Sequence, residues 1–231
     1  MLFDKSWLVN SIFKRELQRV AKQYATGRLI DIGCGTKPFK KLFAPYVTEH
    51  IGVDHENTIH DQSNIDLFGT AYSIPAEDNS FDTAISTAVL EHLEEPAMSI
   101  LETHRILKKG GHAIYSAPLY WQLHEEPRDF FRYTKYGLKH LFEKNGFEIV
   151  EITALSGFWV TFGQQSISYI ARSLRRPLQV LFTPLILFIQ LSCFLFNRFD
   201  KSTEFTWMYL IIARKKGKQV SYEKNSNHPY P

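Results

Sequence analysis

Two glycines and a carboxylate are the first residues of this sequence whose types and spacing could bind a ligand. Gly33 and Gly35 stand one residue apart directly after the apolar run 28–32, and Asp54 ends the next such run, 50–54. A bare backbone at the end of a strand lets a ligand approach without a Cβ in the way. A carboxylate at the end of the neighbouring strand can accept two hydrogen bonds from ribose hydroxyls. The pattern predicts a site for a ligand that carries a ribose.

The glycine pattern differs from both common phosphate-binding loops. A dinucleotide-binding turn continues to a third small residue, but Pro38 occupies that position here. The loop G-x-x-x-x-G-K-[ST] is also absent from the sequence. We therefore expect a ligand without a pyrophosphate, which disfavours a dinucleotide-dependent oxidoreductase.

A second group of reactive side chains lies in the stretch "HEEPRDFFRYT", residues 124–134. It follows the apolar run 112–117, so we expect it to lie over the same edge of the sheet as the glycine turn. Histidine exchanges protons near neutral pH, and the candidate catalytic residues are therefore His124 and, in "VLEHL", His92. The alternative is a solvated charged loop. The candidate substrate-binding residues are Trp121, Glu125, Arg128, Arg132 and Tyr133.

The histidines and cysteines show no metal-ligand spacing, because no two histidines lie four residues apart on a predicted helix with an acidic residue between them. We therefore expect no metal ion. Cys34 and Cys193 cannot form a disulfide framework, which favours a reducing compartment. Cys34 lacks a partner histidine at a suitable spacing, so we interpret it as a packing residue rather than a nucleophile.

Strand-length and helix-length patterns alternate along the chain, which predicts an α/β fold with a mostly parallel, doubly wound sheet and helices on both faces. Glycines in "KKGG" and "KNG" are predicted to end two of the helices in the left-handed conformation. The strand-like runs are 28–32, 50–54, 81–86, 112–117, 147–153 and 206–213, and the predicted helices are 7–24, 37–44, 87–94, 96–108 and 134–145.

Length and charge limit the function classes. With 231 residues, 44% of them hydrophobic, the chain suits a single domain at 1–216 followed by a polar tail at 217–231 that we predict to be disordered. A net charge of +3 lacks the clustered basic face of a nucleic-acid binder, so no nucleic-acid partner is expected. Charged residues interrupt the apolar N-terminus, which argues against a signal peptide and favours a cytoplasmic protein.

The chain resembles the class I S-adenosylmethionine-dependent methyltransferases, in particular the bacterial type 11-like group. "DIGCG", "DNSFD", "VLEHL" and "HRILKKGG" follow one another in that family's order and spacing, over roughly residues 28–153. The resemblance implies a Rossmann-like sheet of seven strands with an antiparallel last strand at 206–214. Together with apolar periodicity near the N-terminus and a Phe-, Leu- and Ile-rich stretch before the last strand, it predicts an N-terminal helix at 7–27, a cofactor-binding core at 28–155 and a hydrophobic helical insertion at 156–205.

The resemblance further implies S-adenosylmethionine as the cofactor. The glycine turn and Thr87 would contact the methionine part of the cofactor, and Asp54 would bind its ribose. Relatives often carry an acidic residue for the adenine amino group where this chain has Thr70. The cofactor-binding residues implied in this way are Asp31, Gly33, Cys34, Gly35, Asp54, His55, Ala71, Tyr72 and Thr87.

The implied activity is methyl transfer to a hydroxyl or similar polar group on a small molecule, a saccharide or a lipid-linked substrate. Aromatic side chains of the 118–133 loop would shield the cofactor's sulfonium, which ring faces attract. The alternative is a non-catalytic methyltransferase-like module that binds the cofactor or a partner subunit. An oligomer is compatible with either interpretation.

The segment 166–199 predicts contact with a membrane surface. Twelve of the residues from 178 to 196 are Leu, Ile or Phe, and Arg172, Arg175, Arg176 and Arg198 flank them, as in segments that anchor at anionic headgroups. A single crossing is disfavoured because the last strand must return to the sheet. We expect a helical hairpin broken near Pro184 or a shallow interfacial helix on the inner face of the membrane. The alternative is a lid or a dimer interface.

Overall fold

One seven-stranded sheet organises the chain, whose residues 5–58, 61–174, 180–200 and 202–217 are described by a computed structural model. The strands are β1 (Arg28–Ile32), β2 (Glu49–Asp54), β3 (Leu67–Phe68), β4 (Phe81–Thr87), β5 (Leu107–Pro118), β6 (Phe147–Ala154) and β7 (Met208–Lys215). Their order is β3-β2-β1-β4-β5-β7-β6, with β7 antiparallel to both of its neighbours and the other pairs parallel. This confirms the predicted fold class. The predicted disordered tail lies, from residue 218 onward, outside the described residues.

Helices cover both faces of the sheet. They are α1 (Trp7–Tyr24), α2 (Lys40–Phe43), α3 (Pro96–Ile106), α4 (Lys135–Lys144), α5 (Phe158–Ser173) and α6 (Thr183–Asn197). Along β1, Ile30 and Ile32 pack into the core under α3 and α4, whereas Leu29 packs into the core under the other four helices. A strand buried on both faces reads as a continuous apolar run, which is why "LIDI" does not alternate with polar residues.

The N-terminal helix α1 has the bounds that its periodicity predicts. Leu8, Ile12, Leu17 and Val20 recur at helical spacing and are all buried. On the polar side of α1, the Arg19 guanidinium donates hydrogen bonds to the Glu151 carboxylate of β6. The helix is therefore held both by its apolar stripe and by an ion pair.

Two predicted helices near the glycine turn are shorter in the structure. Of 37–44, only α2 is helical, and 87–94 contains a single 3₁₀ turn at Leu90–His92. Ala88 has φ = 54°, and its N–H donates to the carbonyl (3.3 Å) and hydroxyl (3.0 Å) oxygens of Ser116. These bonds tie the chain to β5 directly after β4, so a regular helix cannot begin there.

The glycine-rich ends of two predicted helices behave differently. Gly146 ends α4 in the left-handed conformation, with φ = 89°, as predicted. By contrast, α3 ends at Ile106, and "KKGG" belongs to β5 because Leu107 already pairs with Phe81 of β4. The short strand β3 was not predicted, since two residues carry no periodicity.

Helices α5 and α6 form the predicted helical hairpin before the last strand. Pro184 lies in the first turn of α6, where proline is tolerated, so it begins the second helix. The helices approach closely at Gly163, where a Cβ would lie 2.2 Å from the Cys193 Sγ. Within the described ranges, no helix is both long and apolar enough to cross a bilayer.

Candidate functional site

The turn after β1 requires its two glycines. Gly33 and Gly35 have φ = 69° and 48°, and a Cβ on Gly33 would lie 2.6 Å from the Val89 Cγ2. The N–H groups of Gly35 (2.9 Å) and His55 (2.8 Å) each donate to one oxygen of the Asp54 carboxylate. Each of these oxygens has a further lone pair. Asp54 therefore holds the turn and keeps acceptor capacity for ribose hydroxyls.

An ion pair between a buried lysine and a partly exposed aspartate supports the turn. Lys37 has φ = 52°, and its buried ammonium donates to the Asp66 carboxylate, which also accepts from the Gly52 N–H at 2.7 Å. A Cβ on Gly52 would lie 2.1 Å from the Lys37 Cε, so the glycine makes room for the lysine. Beside them, the buried Asp31 carboxylate lies 3.1 Å from the His50 Nε2. Burial raises the pKa of Asp31, and the hydrogen bond with His50 opposes that shift.

The other predicted cofactor contacts surround this turn. Cys34 is buried, and burial raises the pKa of its thiol to about 12, which fits a packing role. Thr70 accepts a hydrogen bond from the Tyr72 N–H (3.3 Å), so its side chain closes a turn at this position. Ala71 and Tyr72 pack at the edge of the core, and Thr87 is half-buried at the end of β4.

These residues fit the cofactor that the sequence implies. The turn offers a cradle that a Cβ would fill, and Asp54 offers carboxylate oxygens beside it. A separate shallow cavity of about 270 Å³ lies at the opposite edge of the sheet, where Arg28 and Phe81 begin β1 and β4. This cavity therefore lies away from the glycine turn and Asp54.

The 118–134 loop folds back onto the 3₁₀ turn at Leu90–His92. The Tyr133 hydroxyl donates to the Leu90 carbonyl (3.0 Å), and the Phe130 N–H donates to the Glu91 carbonyl (2.9 Å). Tyr133 is buried in the core, where its hydroxyl is already engaged. The structure therefore gives Tyr133 a role in holding the loop, and its predicted substrate contact stays a prediction.

Arg132 organises the loop through its own hydrogen bonds. Its guanidinium forms a bidentate pair with Asp129 (2.6 and 2.7 Å) and donates to the carbonyls of Trp121 (3.0 Å), Gln122 (2.9 Å) and Phe131 (2.8 Å). An arginine has five N–H donors, and all five are engaged here. Arg132 also holds the pKa of the Asp129 carboxyl well below its usual range. Its geometry therefore supports a positioning role in place of the predicted substrate contact.

The two candidate catalytic histidines lie side by side. The rings of His92 and His124 are 4.7 Å apart, centroid to centroid. The His92 Nδ1 lies 2.5 Å from the Arg128 carbonyl oxygen, and the His124 Nδ1 lies 3.2 Å from the Gln122 carbonyl oxygen. A carbonyl only accepts, so Nδ1 carries the proton in both rings. Each Nε2 then has a lone pair when the ring is neutral.

Glu91 completes this group, and sequence reasoning assigned it no role. Its side chain is fully buried, and neither carboxylate oxygen has a hydrogen-bond partner among the described residues. Burial raises its pKa to about 8. One ligand atom each from Glu91, His92 and His124 lie within 4.8 Å of one another. The nearby apolar residues Leu90 and Leu93, both buried, are a sequence signal for burial of this turn, but they do not show whether the carboxylate has a partner.

The remaining predicted substrate residues divide into two groups. Glu125 and Arg128 are both exposed and lie beside His92. The Glu125 Oε2 is 3.8 Å from the His92 Nε2, and the Arg128 carbonyl oxygen contacts the His92 Nδ1. Trp121 instead packs against Trp207 in the core beneath α1, with 5.5 Å between the two ring centroids. The structure thus brings Glu125 and Arg128 to the histidines and directs Trp121 toward the core.

Comparisons with known proteins agree with this geometry. The methyltransferase domain family matches residues 9–152. A Mycolicibacterium smegmatis protein named "Probable S-adenosylmethionine-dependent methyltransferase" is 28% identical over 62% of this chain and 56% of its own length. A ubiquinone biosynthesis O-methyltransferase of Ruegeria pomeroyi is 31% identical over 45% of this chain and 46% of its own length. The chain thus spans about half the length of these two curated relatives.

Solved structures show the same fold. A SAM-dependent methyltransferase from Archaeoglobus fulgidus superimposes with a TM-score of 0.58, at 20% identity, over 89% of this chain and 94% of its own. The family match covers the glycine turn, Asp54 and the Glu91–His92 pair within one continuous segment. The chain therefore belongs to the methyltransferase domain family.

Proposed function

We propose that the chain transfers a methyl group from S-adenosylmethionine to a hydroxyl oxygen of an acceptor molecule. The observation that carries this proposal is the placement of two groups on one edge of the sheet. The glycine turn and Asp54 follow β1 and β2, and the histidine pair follows β4 and β5. A doubly wound sheet binds its ligands at this edge.

The reaction needs little more than alignment and the removal of one proton. The bound cofactor supplies a methyl group on a sulfonium, so a carbon–oxygen bond forms as a carbon–sulfur bond breaks. The chain's task is to hold the acceptor oxygen in line and to exclude water. The hydroxyl proton passes to the Nε2 of His92 or His124, which the Nδ1 contacts leave as an acceptor. Phe130 and Phe131 present partly exposed rings beside these histidines.

An amphiphilic or lipid-linked acceptor suits the surface next to this site. On α5, the exposed rings of Phe158, Phe162 and Tyr169 recur at helical spacing. The same helix contacts the 118–134 loop, because the Gln165 Nε2 donates to the Tyr120 carbonyl at 2.7 Å. On and beside α6, the exposed apolar residues are Val180, Leu181, Leu185, Phe188, Leu191, Phe194, Leu195, Phe196 and Phe199. We call these exposed side chains of α5 and α6 the apolar hairpin face.

The occupant that fits the apolar hairpin face is an anionic membrane surface. Residues 152–199 contain no Asp or Glu but four arginines, among them Arg172 and Arg198. Apolar side chains next to cations are the pattern of interfacial anchors, which insert shallowly and hold anionic headgroups. We therefore propose peripheral contact through this face, with a second copy of the chain as the competing occupant.

A screen with isotopically labelled S-adenosylmethionine tests the activity. The purified chain is incubated with organic-solvent extracts and with water-soluble saccharide extracts of bacterial envelopes. We expect label to enter the organic extract and to be lost with His92→Ala/His124→Ala. Cofactor binding without label in any fraction would favour the non-catalytic module. Label confined to the water-soluble fraction would refute a lipid-linked acceptor but would still support methyl transfer.

Vesicle flotation tests the membrane contact. The full-length chain should float with vesicles that contain phosphatidylglycerol, and Phe188→Glu/Phe194→Glu should remain at the bottom. The matched control is Met98→Glu, which changes an exposed apolar residue of α3 on the opposite face of the sheet. A wild-type chain that stays with the buffer would contradict the proposal. If the wild-type chain is a dimer and Phe188→Glu/Phe194→Glu is a monomer, the apolar hairpin face binds a second copy of the chain.

A further inference from the structure

We propose that Glu91, His92 and His124 form a binding site for a divalent transition-metal ion of the zinc and cobalt type. The inference deepens the proposed function, because the ion would lie where the acceptor oxygen must sit. It also departs from the expectation of no metal, which was drawn from ligand spacing along single helices. Here the ligands come from two separate turns that the fold brings together.

The first observation is the donor set. One ligand atom each from a carboxylate and two imidazoles lie within 4.8 Å of one another. A ligand atom about 2.0 to 2.2 Å from a zinc-like ion is separated from its neighbours by roughly 3 to 4 Å, so modest side-chain adjustment closes the group around an ion. Two histidines and one carboxylate leave a coordination position for a water molecule or a substrate oxygen.

The second observation is the state of the Glu91 carboxylate. It is fully buried beside the two histidines, and neither of its oxygens has a hydrogen-bond partner among the described residues. A buried polar group without partners is costly, and carboxylates buried in proteins are normally paired or coordinate a metal. A bound cation supplies the missing partner. An exposed glutamate in the same position would carry no such indication.

The third observation is the orientation of the imidazoles. Metal-ligating histidines usually donate their other ring N–H to a carbonyl or a carboxylate, which fixes the ring and its tautomer. The His92 Nδ1 has the Arg128 carbonyl oxygen at 2.5 Å. The His124 Nδ1 has the Gln122 carbonyl oxygen at 3.2 Å and the Asp129 Oδ2 at 3.3 Å. Both Nε2 atoms are thereby prepared as ligands.

The loop gives this arrangement its rigidity. Asp129, which orients His124, is itself fixed by the bidentate pair with Arg132. The Glu91 carbonyl accepts the N–H groups of Phe130 (2.9 Å) and Phe131 (3.2 Å), so the two turns that carry the ligands are joined directly. With an ion in place, it would hold the lone pairs of both Nε2 atoms, so the histidines would act as ligands and no longer as bases. The proton of an acceptor hydroxyl bound to the ion would then pass to the exposed Glu125 carboxylate, whose Oε2 lies 3.8 Å from the His92 Nε2, and the ion would make that proton easier to remove.

Metal binding can be measured without cofactor or acceptor. Full-length protein treated with a chelator and dialysed is titrated with Co²⁺, and the visible absorption of the bound ion is followed, with Zn²⁺ as competitor. We expect one Co²⁺ per chain, displaced by Zn²⁺. Glu91→Gln and His124→Ala should each weaken binding by at least about 100-fold, and Asp129→Asn by about 10- to 100-fold.

The control is His140→Ala, which removes an exposed histidine on α4 outside the group and should bind as the wild type does. Thermal unfolding of each variant without metal shows whether it is folded. Absence of Co²⁺ binding by the wild type, or equal binding by folded Glu91→Gln and His140→Ala, would overturn the proposal. Metal binding without methyl transfer to any acceptor would instead overturn the proposed function alone. Methyl transfer that chelation leaves unchanged would show that the histidines act as bases without an ion.

Discussion

At the scale of single residues, the site depends on side chains and glycines whose surroundings decide their chemistry. The sequence indicated Gly33, Gly35 and Asp54 because their types and spacing suffice to suggest a ligand. It could not indicate that Glu91 is buried without a partner, because burial of a carboxylate depends on contacts from residues about 40 positions away. For the same reason, the contact between the buried Lys37 ammonium and Asp66 was not predicted.

Gly33→Ala tests the close approach at the turn. The new Cβ would meet the Val89 side chain at 2.6 Å and would place alanine at φ = 69°. Gly110→Ala is the matched control, since Gly110 also has positive φ but nothing lies within 4 Å of an added Cβ. We expect Gly33→Ala to lower the free energy of unfolding by about 1 to 3 kcal/mol more than the control does. Adding Val89→Ala to Gly33→Ala should restore part of the lost free energy of unfolding, measured in urea. Equal losses of stability in Gly33→Ala and Gly110→Ala would refute the contact.

At the scale of elements, the loop and the turn before it act as a unit. The sequence correctly indicated that residues after β4 and β5 reach the same edge, because parallel strands require it. It overestimated the helix at 87–94, because the hydrogen bonds from Ala88 to Ser116 connect elements distant in the chain. The sequence also could not predict that Arg132 holds its own loop together. A charged residue in a loop gives the same sequence pattern whether it binds a substrate or hydrogen-bonds within the loop.

Arg132→Gln tests the loop as a positioning device. Loss of the bidentate pair releases Asp129 and with it the orientation of His124. Methyl transfer should fall by at least about 10-fold, while the affinity for S-adenosylmethionine changes by less than about 2-fold, because Arg132 is not among the residues that we expect to contact the cofactor. The matched control is Arg214→Gln, which removes an exposed arginine–glutamate pair at the opposite edge of the sheet and should leave transfer nearly unchanged. A loss of cofactor affinity in Arg132→Gln would place the loop in the other half of the site.

At the scale of the whole molecule, stability should depend on the pH through His104, a half-buried histidine far from the site. Burial lowers the pKa of His104, with a further contribution from the positive charge of Lys215, while a hydrogen bond to the Gly146 backbone opposes the shift. His104 of the unfolded chain therefore binds its proton at a higher pH than His104 of the folded chain. The contribution of neutral His104 to the free energy of unfolding is complete above the pKa of the unfolded chain, about 6.5, and is lost as the pH falls below it. Urea unfolding between about pH 7.5 and about pH 5.5 should show a steeper loss for the wild type than for His104→Gln. His140→Gln, on exposed α4, should follow the wild type, and parallel curves for all three proteins would contradict the assignment.

The central claim is that the edge carrying the glycine turn and Asp54 binds S-adenosylmethionine, and calorimetric titration of the full-length chain with this cofactor tests it most directly. We expect saturable binding by the wild type and by Asp61→Ala, which removes an exposed carboxylate away from the turn. Asp54→Ala should lose the hydrogen bonds of a charged group to the ribose, about 1.5 to 3 kcal/mol, or roughly a 10- to 150-fold weaker Kd. Absence of binding by the wild type, or the same Kd for Asp54→Ala and Asp61→Ala, would contradict the account.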